Sequence, residues 1–192
     1  HADVEVVFDA LEDDFHIGVD PGTRDNPQNR ALREGCEALG YHVADIPRNQ
    51  RPPETEAEWQ RLGFAPFGDR DGLKQSTLRT SLHRAVRHGA RILAETTVER
   101  VVIENGRATG LVGGYAPEGG PRVRVTVRAD RVVVAAGSIH TPALLMRSGV
   151  EHPHLGRHLF FHPTGAVAAR YPEPMEPWYG PMMSVVSSEF SK

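Results

Sequence analysis

One cysteine, Cys36, is present in 192 residues. That excludes an intrachain disulfide framework and a multi-cysteine metal cluster, and it agrees with a reducing compartment. Neither sign of charge dominates: 22 basic residues stand against 25 acidic ones, a net charge of −3. Such a balance sets up no field for nucleic acid or for an anionic membrane. No apolar run approaches the roughly 20 residues of a transmembrane helix, and no signal peptide is visible at the start. Localisation is left open between the cytoplasm and peripheral attachment to a membrane. There is no initiator methionine either. The chain opens HADVEVVFDALEDD and stops at SSEFSK, which reads as a portion of a longer polypeptide.

Punctuation, by contrast, is plentiful: 15 prolines and 19 glycines imply many loops between short elements. Asn26-Pro27 followed by QNRALREGCEALGY has the marks of a helix, with Asn26 as cap, Pro27 at the first position and Gly40 at a left-handed exit. Ala31, Leu32, Gly35, Cys36 and Leu39 share one face at helical spacing. Residues 47–74, rich in Pro, Gly and charge, read as a long irregular loop. STLRTSLHRAVRHGA predicts a second helix, capped by Ser76 or Thr77, with Leu78, Leu82, Ala85 and Val86 inward.

From Arg91 the period changes to two. ARILAE and VERVVIE read as strands, Asn105-Gly106 as a tight hairpin turn, and RATGLVGGY and RVRVTVR as the following strands of an antiparallel meander. RVVVAA does not alternate and reads as a strand buried on both faces. A helix follows, with Thr141 as cap, Pro142 at the first position and Gly149 as stop. Gly137 therefore falls where a central strand ends and a helix is about to begin. In open α/β sheets, ligands lie beyond that edge. The small residues Ala135, Ala136, Gly137 and Ser138 let main chain approach something bulky there. Tight strand–helix packing is the plainer reading of the same residues.

Other constellations carry less. His158 and His162, in HPHLGRHLFFHP, have the spacing of two metal ligands on a helix, but Pro153 and Pro163 and the lack of a nearby carboxylate argue against a metal site. Asp69 and Asp71 read as a solvated turn rather than a cation loop. Trp59, Phe64, Phe67, Trp178 and Tyr179 sit in loop-like stretches, as satellite core or as the walls of an apolar pocket. The pattern G-x-S-x-G is absent, and G-x-G-x-x-G does not occur at the Gly137 turn.

Gly137 to Val150, GSIHTPALLMRSGV, resembles the second signature of the glucose-methanol-choline (GMC) family of flavin oxidoreductases, departing where Glu151 replaces the usual final glycine. NPQNRALREGCEALGY, GLKQSTLRTSL, TTVERVVIENGRATGL, LGRHLFFHP and PEPMEPWYG with SVVSSEF resemble further family segments, in the family's order. The set is most similar to the long-chain fatty-alcohol oxidase-like branch. That branch often carries cysteines where this chain has Ala65 and Asp69.

The resemblance implies an α/β fold of mixed α+β character. It would be part of a layered FAD-binding domain with an antiparallel β-meander, plus part of an antiparallel-sheet substrate domain. Residues 23–157, including the loop 47–74, would belong to the former, and 1–22 with 158–192 to the latter. It also implies hydride transfer from a primary alcohol to FAD, with electrons passed to oxygen or another acceptor. By the same comparison the backbone of Val98 touches the adenine end of FAD, and Ala136 and Gly137, with Ser138 beside them, line the cofactor. The histidine base would lie beyond Lys192 and the dinucleotide fingerprint before His1, in remaining segments of the same protein. No residue of this chain is then catalytic. A non-catalytic binding module, or half of a split enzyme, is the alternative reading.

Overall fold

The two-residue hairpin turn is where the sequence places it. Asn105 (φ 52°) and Gly106 (φ 74°) both adopt left-handed backbone, as a two-residue hairpin loop requires. They join β4 (Thr96–Glu104) to β5 (Arg107–Tyr115), and β6 (Val123–Arg128) completes a three-stranded antiparallel sheet in the order β4-β5-β6. The register runs from Thr96↔Tyr115 to Glu104↔Arg107, with irregularities at Val98/Arg100 and Val102/Ile103. In β6 the expected alternation holds: Val125 and Val127 are half-buried, and Arg124, Thr126 and Arg128 are exposed. Gly113 has no room for a side chain, since a Cβ there would collide with the Thr97 carbonyl across the ladder.

Helix α5 (Gly137–Arg147) packs on this sheet. Leu144 of α5, Val101 of β4 and Val112 of β5 are the buried apolar residues here, each worth roughly 1.5–3 kcal/mol when removed from water. Ser148 fastens the end of the helix: its Oγ donates to Leu144 O (2.7 Å) and accepts from Val101 N–H (2.8 Å). Arg147 Nε donates to Glu99 O.

The structure, a computed structural model, describes residues 2–19 and 26–191. It divides into two compact units, Arg91–Val167 just described and His1–Ala90 with Ala168–Lys192. The functional boundary expected at residue 22 lies outside the described residues.

In the second unit α1 (Ala2–Asp14), which sequence reasoning had not marked, leads into β1 (Ile17–Gly18). Helix α2 (Pro27–Ala38) forms as its signals direct: Asn26 caps it, Pro27 opens it, and Gly40 (φ 73°) ends it. Strand β2 (Ala44–Asp45) pairs antiparallel with β7 (Val185–Val186), and β3 (Arg48–Asn49) pairs with β1. Helix α3 (Glu56–Arg61) carries a complete capping box between Thr55 and Glu58 and continues into a 3-10 turn, Leu62–Phe64. Trp59, Leu62 and Leu73 form the buried cluster, with Tyr179 packed against it. The stretch 47–74, expected to be irregular, thus holds a helix and this unit's core. Three apolar anchors spaced along it meet in that core, and polar contacts within the stretch brace the turns between them.

Three further expectations are corrected. Helix α4 is only Ser81–Arg87. Residues 77–80 form a turn instead, and the backbone leaves helical geometry at Thr80 (φ −114°, ψ −93°) before α4 begins. Its expected inward face is largely open, with Leu78 and Val86 exposed. On α2 the buried positions are Asn26 and Asn29 rather than Leu32 and Leu39, which are exposed. ARILAE is coil and turn, not strand.

Candidate functional site

RVVVAA, the segment before Gly137, is not a strand here. It has no ladder partner among the described residues, and a strand exists only through its neighbours' hydrogen bonds. Val132 and Val134 are half-buried while Val133 is 89% exposed.

Helix α5 then begins four residues before the expected cap. Gly137, with φ 78°, lets the chain turn straight into the helix, a conformation that costs a residue with a Cβ. Thr141 still serves the helix start, but from within: its Oγ1 accepts the N–H of Ala136 at 3.0 Å. Pro142 is consequently the sixth helical residue, and its missing N–H leaves the Ser138 carbonyl without the usual helical donor.

Ala136, Gly137 and Ser138 are all exposed. A Cβ built on Gly137 would find nothing within 4 Å. The bare backbone at this point is therefore not a device for close packing within the described chain. It opens on space. The first N–H groups of α5, free of intrahelical partners, carry the positive end of the helix dipole into it. Ser138 also contributes to a cleft of about 620 Å3 between α5 and residues 156–160, walled by Ile139, Pro142, Met146 and Phe160. Gly156 lies so close to the Met146 methyl that a side chain there would displace it.

Val98 stands elsewhere on the same unit. It is half-buried on β4, paired with Gly113 and next to the ladder irregularity. Its strand neighbours Glu99 and Val101 grip the carboxyl end of α5. Ala136, Gly137 and Ser138 thus stand at the amino end of an eleven-residue helix, and Val98 lies on the strand whose next residues hold the carboxyl end of that helix.

The histidines do not pair as spacing suggested. Residues 157–163 are not helical, and His158, at φ 61°, brings its Nε2 to 3.1 Å from His154 Nδ1. His162 is exposed. No group of three metal-ligating side chains occurs among the described residues.

In the other unit, Asn26 and Asn29 make an arrangement that the sequence reading missed beyond the cap. Asn26 Nδ2 donates to the carbonyls of Tyr179 (3.0 Å) and Pro181 (2.9 Å), and Asn29 Nδ2 donates to Pro181 O (2.8 Å) and Asn26 Oδ1 (2.7 Å). Asn29 Oδ1 accepts from Ser184 N–H. Two buried amides thereby sew the segment 179–184 onto α2. An Asn-x-x-Asn repeat at a helix start is the signal that could have revealed it.

Asp69 and Asp71 serve the loop itself. Asp69 accepts from the N–H groups of Leu73 (3.1 Å) and Lys74 (2.7 Å). Asp71 takes a two-pronged bond from Arg61, both contacts at 2.8 Å, and this holds its carboxyl below the ordinary aspartate range. At Asp69 a carboxylate braces the turn.

Beside this loop lies a cleft of about 200 Å3, with Leu62, Ala65, Pro66, Met182 and Met183 in its walls together with the β3 residues and Lys74. Arg48 Nη1 donates to Met183 O (3.1 Å), and burial lowers the pKa of this guanidinium.

Residues 1–164 match the GMC oxidoreductase family. The chain belongs to that family, whose amino-terminal region, the part matched, is the FAD-binding one. Among its relatives, an uncharacterized GMC-type oxidoreductase of Sinorhizobium fredii is 37% identical over 169 residues, 88% of this chain and 32% of the relative. A long-chain-alcohol oxidase of Arabidopsis thaliana is 36% identical over 163 residues, 81% of this chain and 21% of the relative. An alcohol oxidase of Candida boidinii is 27% identical over 144 residues. The chain thus spans a third or less of the length of these two closer relatives. No solved structure matches it. No helix among the described residues is long and apolar enough to cross a membrane.

Proposed function

We propose that this chain is the central portion of an FAD-dependent oxidoreductase acting on a primary, long-chain alcohol. Residues 23–157 contribute to the FAD-binding part and residues 1–22 and 158–192 to the substrate part. Ala136, Gly137 and Ser138 line the cofactor, and the backbone of Val98 meets its adenine end. The observation that carries the reading is the uncovered, left-handed Gly137 at the start of α5, with no protein atom within 4 Å of where its side chain would be.

The residues present suit such a group. The amino end of α5 offers N–H donors and a positive dipole to a diphosphate. The chemistry that flavin supplies is acceptance of a hydride from the carbinol carbon, the hydroxyl proton going to a base and the electrons onward to oxygen or another acceptor. This chain's own part is to bind and orient. The base is expected in the region of the relatives that follows the counterpart of Lys192. The likeness to long-chain-alcohol oxidases over 81% of the chain supports the substrate class.

The test compares Gly137→Ala with Gly137→Val in the complete protein. A Cβ at this position meets no protein, but β-branched Val is the more strained of the two at φ 78°, so both variants are first shown by circular dichroism and thermal melting to be folded. If cofactor passes here, Val lowers the flavin absorbance per protein well below that of Ala, while both remain folded. Equal flavin retention in the two variants would remove the assignment, and a folded, colourless wild type would favour a non-catalytic module.

A further inference from the structure

The three-stranded sheet gathers arginines on one of its faces. Arg100 of β4 lies opposite Val112 of β5, and two residues further along β5 Gly114 lies opposite Arg124 of β6. Directly opposed residues share a face, and so do residues two apart on one strand. Arg100 and Arg124 therefore stand on the same face, on either side of a middle strand that presents Val112 and Gly114. The bare Gly114 admits a third guanidinium. A Cβ there would sit 2.3 Å from Arg122 Nε, so Arg122 lies where a side chain of β5 would otherwise be. Its Nη2 donates to Glu99 Oε1 (2.5 Å).

Arg100, Arg122 and Arg124 line one dent of about 450 Å3, in which Glu99 is the single acidic side chain. Three positive charges against one leave two in excess, in a chain whose net charge is −3. Glu99 is engaged by Arg122, and neither Arg100 nor Arg124 has a carboxylate within ion-pair distance among the described residues. Exposed cations also discourage sheets from pairing edge to edge. Spread charges serve that purpose, whereas here three guanidiniums converge on one concavity against their mutual repulsion.

The chemistry of the donors selects the ligand. A guanidinium is a planar fork that matches two oxygens of a carboxylate or a phosphate. One carboxylate fills one fork and brings one charge. A phosphoryl group brings about two charges at neutral pH and three oxygens, so it faces more than one guanidinium at once and balances the excess. The dent also falls within the roughly 300–1,000 Å3 of small-molecule sites, with space for the body of an ester.

We propose that Arg100, Arg122 and Arg124 bind the phosphoryl group of a small phosphate ester on this face of the sheet. The site lies wholly within the unit Arg91–Val167 and does not rest on the flavin reading. It is separate from the diphosphate position at the amino end of α5, since Glu99 O accepts from Arg147 at the carboxyl end of that helix.

Phosphorus-31 relaxation of inorganic phosphate tests it on the complete protein, at low ionic strength where exposed charges are least screened. Wild type should broaden the phosphate resonance saturably. Arg100→Gln and Arg124→Gln should each raise the Kd about fivefold, and together they should remove the broadening. Arg124→Lys keeps the charge without the fork and should bind almost as weakly as Arg124→Gln. Arg87→Gln, an exposed cation at the end of α4 in the other unit, should change nothing. Absent broadening, or broadening that survives in the double variant, would overturn the site. So would full binding by Arg124→Lys, or displacement of phosphate by an equal concentration of acetate, because either is the mark of diffuse attraction.

Discussion

Replacing Asn26 by Ala removes four contacts at once; one of them, acceptance from Asn29 Nδ2, still leaves that amide its bond to Pro181 O, and the size of the other three follows from their geometry. The first is the helix cap, Asn26 Oδ1 to Asn29 N–H at 3.2 Å, worth about 1 kcal/mol. The others are the two donations from Nδ2 to the carbonyls of Tyr179 and Pro181, each worth roughly 0.5–1.5 kcal/mol net. Together they come to about 3 kcal/mol. The loss falls on the attachment of 179–184 to α2, so the sensitive readout is local. Hydrogen exchange of a peptide spanning 179–184 in the complete protein should accelerate by about a hundredfold, at one decade per 1.4 kcal/mol. Asn26→Asp keeps an acceptor for the cap but loses both donations, and should accelerate it by at least tenfold. Gln28→Ala, which touches this segment's vicinity only through a 3.5 Å exposed contact to Pro177 O, should leave it unchanged. Exchange in Asn26→Ala within threefold of wild type would show that the amides decorate the junction rather than hold it.

Two other outcomes follow from the same kind of reasoning. Arg61 holds the Asp71 carboxyl low, and the N–H groups of Glu54 and Thr55 do the same for Glu58. Both groups bind protons less readily folded than unfolded, so their contributions are complete above the ordinary carboxylate values, about 4, and vanish as pH falls through the lower folded values. Acid unfolding followed by tryptophan fluorescence, with Trp59 in the affected core, should lose part of its steepness in Asp71→Asn; an identical acid profile would contradict the brace. Ser148→Ala strips Val101 N–H of its partner and should speed exchange at that amide by roughly tenfold, whereas no change would mean that α5 is held to β4 by packing alone.

Signals carried by a few neighbouring residues were legible in advance. Asn105-Gly106 names its turn, Asn26-Pro27 and Gly40 bracket α2, and the alternation of RVRVTVR fixes which face of β6 is wet. All are decided within a handful of bonds, by φ preferences and by side chains reaching their own backbone. The family likeness was legible for a related reason, since it lies in ordered short segments such as GSIHTPALLMRSG.

What escaped depended on partners distant in sequence. A stretch full of Pro, Gly and charge became a core because Trp59, Leu62 and Leu73 meet Tyr179, more than a hundred positions away. RVVVAA has strand composition but no ladder partner among the described residues, because hydrogen bonds between strands need a neighbour that composition cannot supply. The start of α5 moved from Thr141 to Gly137 because the threonine hydroxyl reached back to Ala136 from inside the helix. Local sequence by itself determined where this chain turns and which of its helices open cleanly, since those are short-range steric choices. Tertiary structure alone decided that two asparagines bind a remote segment and that Gly137 faces open space, because burial and clearance are properties of what else arrives there.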